Sequence, residues 1–173
     1  MKKSSTLKLV LAGLFTAMGV GLPIAFHAFS LSGTIFLPMH IPVLLCGLIC
    51  GWRYGMITGI IVPILSSFLT GMPPLYPVGA AMALELAAYG AIIGILAGRM
   101  NVIAALIGAM LGGRVVLGIS NVVLMGLAGK SYTFSAFIAG AFITALPGII
   151  LQLVLIPAIY LILNKTNILE KVA

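Results

Sequence analysis

Long apolar stretches of roughly twenty residues, separated by short polar breaks, pattern this chain from end to end. Within each stretch the apolar residues lack the strict alternation of β-barrel strands, so the pattern predicts membrane-crossing helices. Breaks at glycine, proline and charged residues set these helices at residues 6–26, 35–51, 55–69, 78–98, 102–127 and 134–163, within one transmembrane domain spanning 1–173. Pro38 and Pro42 fall early in the second span. A proline removes a backbone donor and disfavours helix before it, so the first third of that span is expected to be irregular. Irregular backbone at membrane depth is tolerated where it lines a cavity. Pro63 marks a kink in the third helix, and Pro147 and Pro157 lie inside the sixth.

Composition agrees with this reading. Of 173 residues 62% are apolar and only 6% charged, where soluble domains carry about a quarter charged residues. The fold class is therefore an all-α integral membrane protein, a six-transmembrane-helix bundle whose main surroundings are the lipid bilayer. A net charge of +7 raises the question of nucleic acid, but the basic residues are dispersed singly and form no run. Topology explains them better. With six spans both termini share a side, and Lys2, Lys3, Lys8, Arg53, Arg99, Lys165 and Lys171 fall on it, against Lys130 alone on the other. The positive-inside rule then makes both termini cytoplasmic. The N-terminus mimics a signal peptide, but its apolar run continues to about Phe26, so it is expected to stay as the first helix.

The chemistry is sparse, which makes it legible. Glu85 is one of only two acidic residues and stands inside the fourth helix; Arg114 stands near the middle of the fifth. Charges within a membrane span are costly and are usually paired or functional. Counting down from the outer loops at about 1.5 Å per residue puts Glu85 and Asn121 level, roughly 10 Å deep, with Arg114 two turns deeper on Asn121's face. Tyr89 shares the face of Glu85. Glu85, Tyr89, Asn121 and Arg114 thus line an outward cavity, with His40 and Ser66 or Ser67 near its mouth. One reading is a Glu85–Arg114 ion pair that only locks two helices together. The other is a pocket for a small polar molecule, since the arginine fork suits a carboxylate or phosphate.

Above this pocket, residues 70–77 hold Gly71, Met72, Pro73, Pro74 and Tyr76, a conformationally restricted loop suited to gating. In the first helix Gly13, Ala17 and Gly21 recur at four-residue spacing with Ala12 and Thr16 alongside, a small-residue face that admits another helix closely. Two motifs lead nowhere. Gly129-Lys130-Ser131 ends like a phosphate-binding loop, but its required first glycine is Leu124 and the chain has no aspartate to hold magnesium, so no ATP hydrolysis is expected. Met39-His40-Ile41-Pro42 resembles the metal-binding start of nickel and cobalt uptake proteins, which needs a free N-terminus. Cys46 and Cys50 lack further ligands and are expected to pack as apolar residues. Neither metal nor cofactor is implied.

Taken together, the small-residue face of the first helix, the block LPMHIPVLLCGLICGWRYGMITGIIVPILSSFLTGMPPLYP and the glutamate within MALELAAYG resemble the substrate-binding S components of energy-coupling factor (ECF) vitamin transporters. The resemblance covers almost the whole chain. It implies a vitamin-uptake subunit in the plasma membrane of a bacterium. The first-helix face would dock on a transmembrane coupling subunit, which joins two ATPases, and the loops Gly33–His40 and 70–77 would close over substrate. Thiamin-specific members carry a Glu-Tyr-containing segment in the fourth helix; here Leu86 follows Glu85 and the aromatic is Tyr89. Arg114 instead suits an anionic vitamin such as pantothenate or niacin. Two rivals remain at this stage: a stand-alone proton-coupled carrier in which Glu85 titrates, and an intramembrane enzyme using His40 or Glu85. Against the enzyme, no nucleophile–base pair or metal set is visible.

Overall fold

The computed structural model describes residues 3–29 and 32–166, all helix and connection with no strand among them. Lys2 and Lys171, two of the residues counted for topology, lie outside the described residues. The helices are α1 (Lys3–Ala28), α2 (Gly33–Phe36), α3 (His40–Cys50), α4 (Trp52–Thr70), α5 (Ala80–Leu96), α6 (Val102–Leu127), α7 (Phe134–Ile138) and α8 (Leu146–Lys165). A wide π-type turn at Leu75–Gly79 leads into α5, and a π-helical segment, Ala139–Thr144, links α7 to α8. Six segments are long and apolar enough to cross a membrane.

Three predicted boundaries move, each for a backbone reason. The expected helix at 35–51 is two helices. Leu37 adopts φ 52°, the left-handed cap that ends α2, and its N–H donates to the Gly33 carbonyl. α3 then starts at His40, with Pro42 in the first turn, where a helix has no use for its N–H. The expected helix at 134–163 breaks at Ala145, so that Pro147 falls in the first turn of α8. The turn expected across residues 51–55 shrinks to Gly51 at φ 95°, and Trp52 already belongs to α4, where the Arg53 guanidinium lies 5.3 Å from the centre of its ring.

α3 is the axis of the bundle: ten of its eleven residues are buried. Leu44, Leu45 and Cys46 pack with Phe15 of α1, Ile93 of α5, Leu106 and Ala109 of α6 and Ile156 of α8. In lipid, apolar burial gives little drive for helix association, so close backbone packing must supply it. Here glycine does so. A Cβ on Gly55 would stand 2.5 Å from the Gly47 Cα and 2.6 Å from the Gly90 carbonyl oxygen. Gly59 lies as tightly on Leu86, and Gly94 on Trp52. α3, α4 and α5 are thereby clamped backbone to backbone. α6 turns Ile103, Leu111, Val115, Ile119 and Val122 outward, a lipid-facing stripe.

Candidate functional site

The polar centre follows from helix lengths. α3, α5 and α6 share one end of the bundle, at Gly51 and at the 97–101 turn. His40 opens α3 ten residues before Cys50, Glu85 stands eleven residues before Leu96, and Arg114 twelve after Val102. At 1.5 Å per residue all three sit about 15–18 Å from that end, near the bilayer midplane. They meet: Arg114 Nη1 donates to Glu85 Oε1 at 2.8 Å, and His40 Nε2 lies 3.6 Å from the same oxygen, in contact but too far for a hydrogen bond. All three side chains are buried. The His40 and Tyr89 rings meet edge to face, 5.1 Å between centres at 87°. Tyr89 in turn packs on Gly113, where a Cβ would strike its ring.

Two sequence expectations therefore change. His40 is not at a mouth but in the polar centre, because the break at residues 37–39 starts α3 at mid-depth. Asn121 is not level with Glu85. Counting from the loop end misjudged its height, since α6 runs well past α5. Asn121 lies two turns beyond Arg114, and its Nδ2 donates to the Tyr132 hydroxyl at 3.3 Å.

Glu85 engages only one corner of the guanidinium. Nε and Nη2 of Arg114 have no protein hydrogen-bond partner among the described residues. Those two atoms form the side edge of the fork, the spacing that binds a carboxylate through two parallel bonds. Arg114 also borders a half-open, almost wholly apolar cavity of about 150 Å³, together with Tyr89, Ile107, Met110 and Leu111 of α6, Phe142, and Ile149 and Leu153 of α8. Phe142 is held by an edge-to-face contact with Phe137, 5.8 Å away, whose ring rests over Gly118.

Gln152 was not foreseen. It is fully buried on α8, and neither its Oε1 nor its Nε2 has a partner among the described residues. It lies one turn from Gly148, which touches the Ile35 and Phe36 backbone, and thirteen residues before Lys165 at the same end of the bundle. It therefore shares the level of the polar centre. A lone glutamine in an apolar helix, counted from that end, was the signal available.

The serines expected near the mouth serve the loop instead. Ser66 Oγ donates to the Met72 carbonyl at 2.8 Å, and Ser67 Oγ to the carbonyls of Pro73 at 2.6 Å and Pro63 at 2.8 Å. Gly71 ends α4 at φ 72°. Met72 and Tyr76 are exposed, and the Tyr76 hydroxyl donates to the Leu124 carbonyl of α6 at 3.0 Å, bridging the loop to the far wall. On α1, Gly13, Ala17 and Gly21 are exposed, and Gly13 and Gly21 have open space where a Cβ would project. Ala12 packs inward with Phe15, and half-buried Thr16 donates to the Ala12 carbonyl. Cys46 and Cys50 are free and buried, with Cys46 Sγ 3.3 Å from Thr58 Oγ1. No group of three or more His, Cys, Asp or Glu gathers as a metal site among the described residues.

Compared with known proteins, residues 7–160 match the family model described as "ECF transporter, substrate-specific component". No curated protein and no solved structure matches.

Proposed function

The chain belongs to the family of ECF transporter substrate-specific components, and from that premise we propose that it captures a small carboxylate vitamin, in the class of niacin or pantothenate, through Arg114. One observation carries this reading: Nε and Nη2 of Arg114 are buried at the polar centre with no hydrogen-bond partner among the described residues. A buried guanidinium with unmet donors gains most from an oxyanion, because charge-assisted bonds strengthen where water is excluded. Glu85 orients the guanidinium and neutralises it between substrates, while His40 and Tyr89 brace the pair.

Capture takes place from outside, with both termini in the cytoplasm of a bacterial cell whose plasma membrane the six helices cross. The 70–77 loop acts as the gate. Serine hydroxyls fix its base at Met72 and Pro73, and Tyr76 latches it to α6. The exposed stripe of Gly13, Ala17 and Gly21 receives the transmembrane coupling subunit, and two ATPase subunits power release inward. Substrate favours the closed state through contacts absent from the open one. Native mass spectrometry of the purified protein tests the reading. A co-purifying small acid that is lost in Arg114→Met supports it. A neutral or cationic ligand retained by that variant overturns it.

A further inference from the structure

The half-open groove between α6 and α8 offers a polar molecule almost nothing, but it lies where hydrocarbon lies. Ile107 and Leu111 on one wall are exposed, so its mouth faces the bilayer, and buried Tyr89 stands behind. Ile107 is five residues above Val102, and Leu153 on the other wall is twelve above Lys165. At 1.5 Å per residue the groove lies roughly 8 to 18 Å from that end of the bundle. The hydrocarbon of one leaflet is about 15 Å deep, half of a 30 Å core. The groove therefore sits at the depth of acyl-chain ends. The same end of the bundle is cationic. Arg99, just before α6, and Lys165, the last residue of α8, are exposed and make no ion pair among the described residues. Val102 and Tyr160, near those two ends, pack on one apolar cluster, which makes the ends neighbours. We propose that the α6–α8 seam binds one anionic phospholipid of that leaflet. Its phosphate lies between Arg99 and Lys165, and the tip of one acyl chain fills the groove.

Size and chemistry select this occupant. A cavity of about 150 Å³ admits a benzene-sized body, so roughly the last six carbons of a chain fill it. A helix of a second copy, about 10 Å across, does not enter. From Leu153 the seam runs down α8 at helical spacing through Pro157 and Tyr160 to exposed Asn164. It is thus apolar at mid-membrane and hydrogen-bonding at its end, as a phospholipid is. The seated chain closes the groove over Tyr89 and keeps water from the polar centre behind it. This site is independent of what Arg114 captures.

The test is native mass spectrometry of the full chain in detergent, titrated with dioleoyl-phosphatidylglycerol, dioleoyl-phosphatidylcholine and dioctanoyl-phosphatidylglycerol. Each cation near a membrane surface favours an anionic lipid roughly 5-fold. One dioleoyl-phosphatidylglycerol is therefore expected to bind at least 10-fold more tightly than the choline lipid. Arg99→Gln and Lys165→Gln should each lower that preference roughly 5-fold. Dioctanoyl chains end short of the groove, so the short lipid should bind at least 10-fold more weakly. Leu153→Trp, which fills the groove, should abolish the preference for the longer chain while the protein elutes as the parent does. The chain-length comparison in the parent protein needs no variant. Equal binding of long and short chains there would empty the groove, and equal binding of the two headgroups would remove the phosphate contact. Either result overturns the site, as does a dimer of this chain that Leu153→Trp dissociates.

Discussion

Removing the Glu85 carboxylate offers the sharpest check on the polar centre. Glu85→Gln keeps the shape of the side chain but leaves the Arg114 guanidinium, buried at mid-membrane, without a counter-charge. At their 2.8 Å separation the Coulomb attraction is about 6 kcal/mol for an effective dielectric of 20. Measured losses on breaking one side of a buried pair run about 3–5 kcal/mol, most of it the penalty of the stranded partner. We expect a loss in that range for Glu85→Gln, on the order of 10 °C in the unfolding midpoint for a chain of this size. Arg114→Met should cost less, because a stranded carboxyl can take up a proton whereas a guanidinium cannot shed one. The double variant Glu85→Gln/Arg114→Met should recover most of the larger loss, giving a coupling of at least ~2 kcal/mol. The assay is unfolding of the detergent-solubilised protein, followed by tryptophan emission from Trp52, for all four members of the cycle. Additivity within about 0.5 kcal/mol, the level seen for independent sites, would refute the pairing.

Other consequences can be measured separately. Tyr76→Phe removes the hydrogen bond to the Leu124 carbonyl, worth about 0.5–1.5 kcal/mol, so ligand release should speed up roughly 2- to 10-fold in stopped-flow with little change in stability; an unchanged off-rate argues against a latch. Gln152→Leu replaces an amide with two unmet polar atoms and should stabilise the ligand-free protein by about 1–3 kcal/mol; destabilisation in the same unfolding assay would mean that the amide has partners. Gly13→Leu fills open space on the outer face of α1. It should block co-purification with the coupling subunit and leave ligand binding intact, whereas loss of both would make the face internal packing.

Much of the fold is legible in the sequence, and each departure from it has a physical cause. The fifth span is predicted and found at Val102–Leu127 without adjustment, because Asn101 caps its start through a bond from the Ala104 N–H and nothing interrupts the run. The prolines near residues 38–42 correctly announce irregular backbone. They do not reveal that Leu37, an ordinary residue in a left-handed conformation, makes the break. Glu85 and Arg114 are legible as partners, but their relative depth is not while it is counted from loops of unknown length. Counting from the short 97–101 turn that α5 and α6 share brings them level. The cavity itself is invisible in the sequence. Its walls come from four separate elements, with Phe142 contributed by the π-helical segment Ala139–Thr144.

The glycine contacts at Gly47, Gly55 and Gly90 have a bearing on engineering. Where backbones touch, no larger residue fits, so the half of the molecule built from α3, α4 and α5 leaves almost no room for redesign. The opposite half is different. Ile107, Leu111, Ile149 and Leu153 line the cavity through side chains on α6 and α8, and none of them enters that seam. Substitutions that reshape the cavity are therefore best made on α6 and α8, where they leave the glycine seam in place.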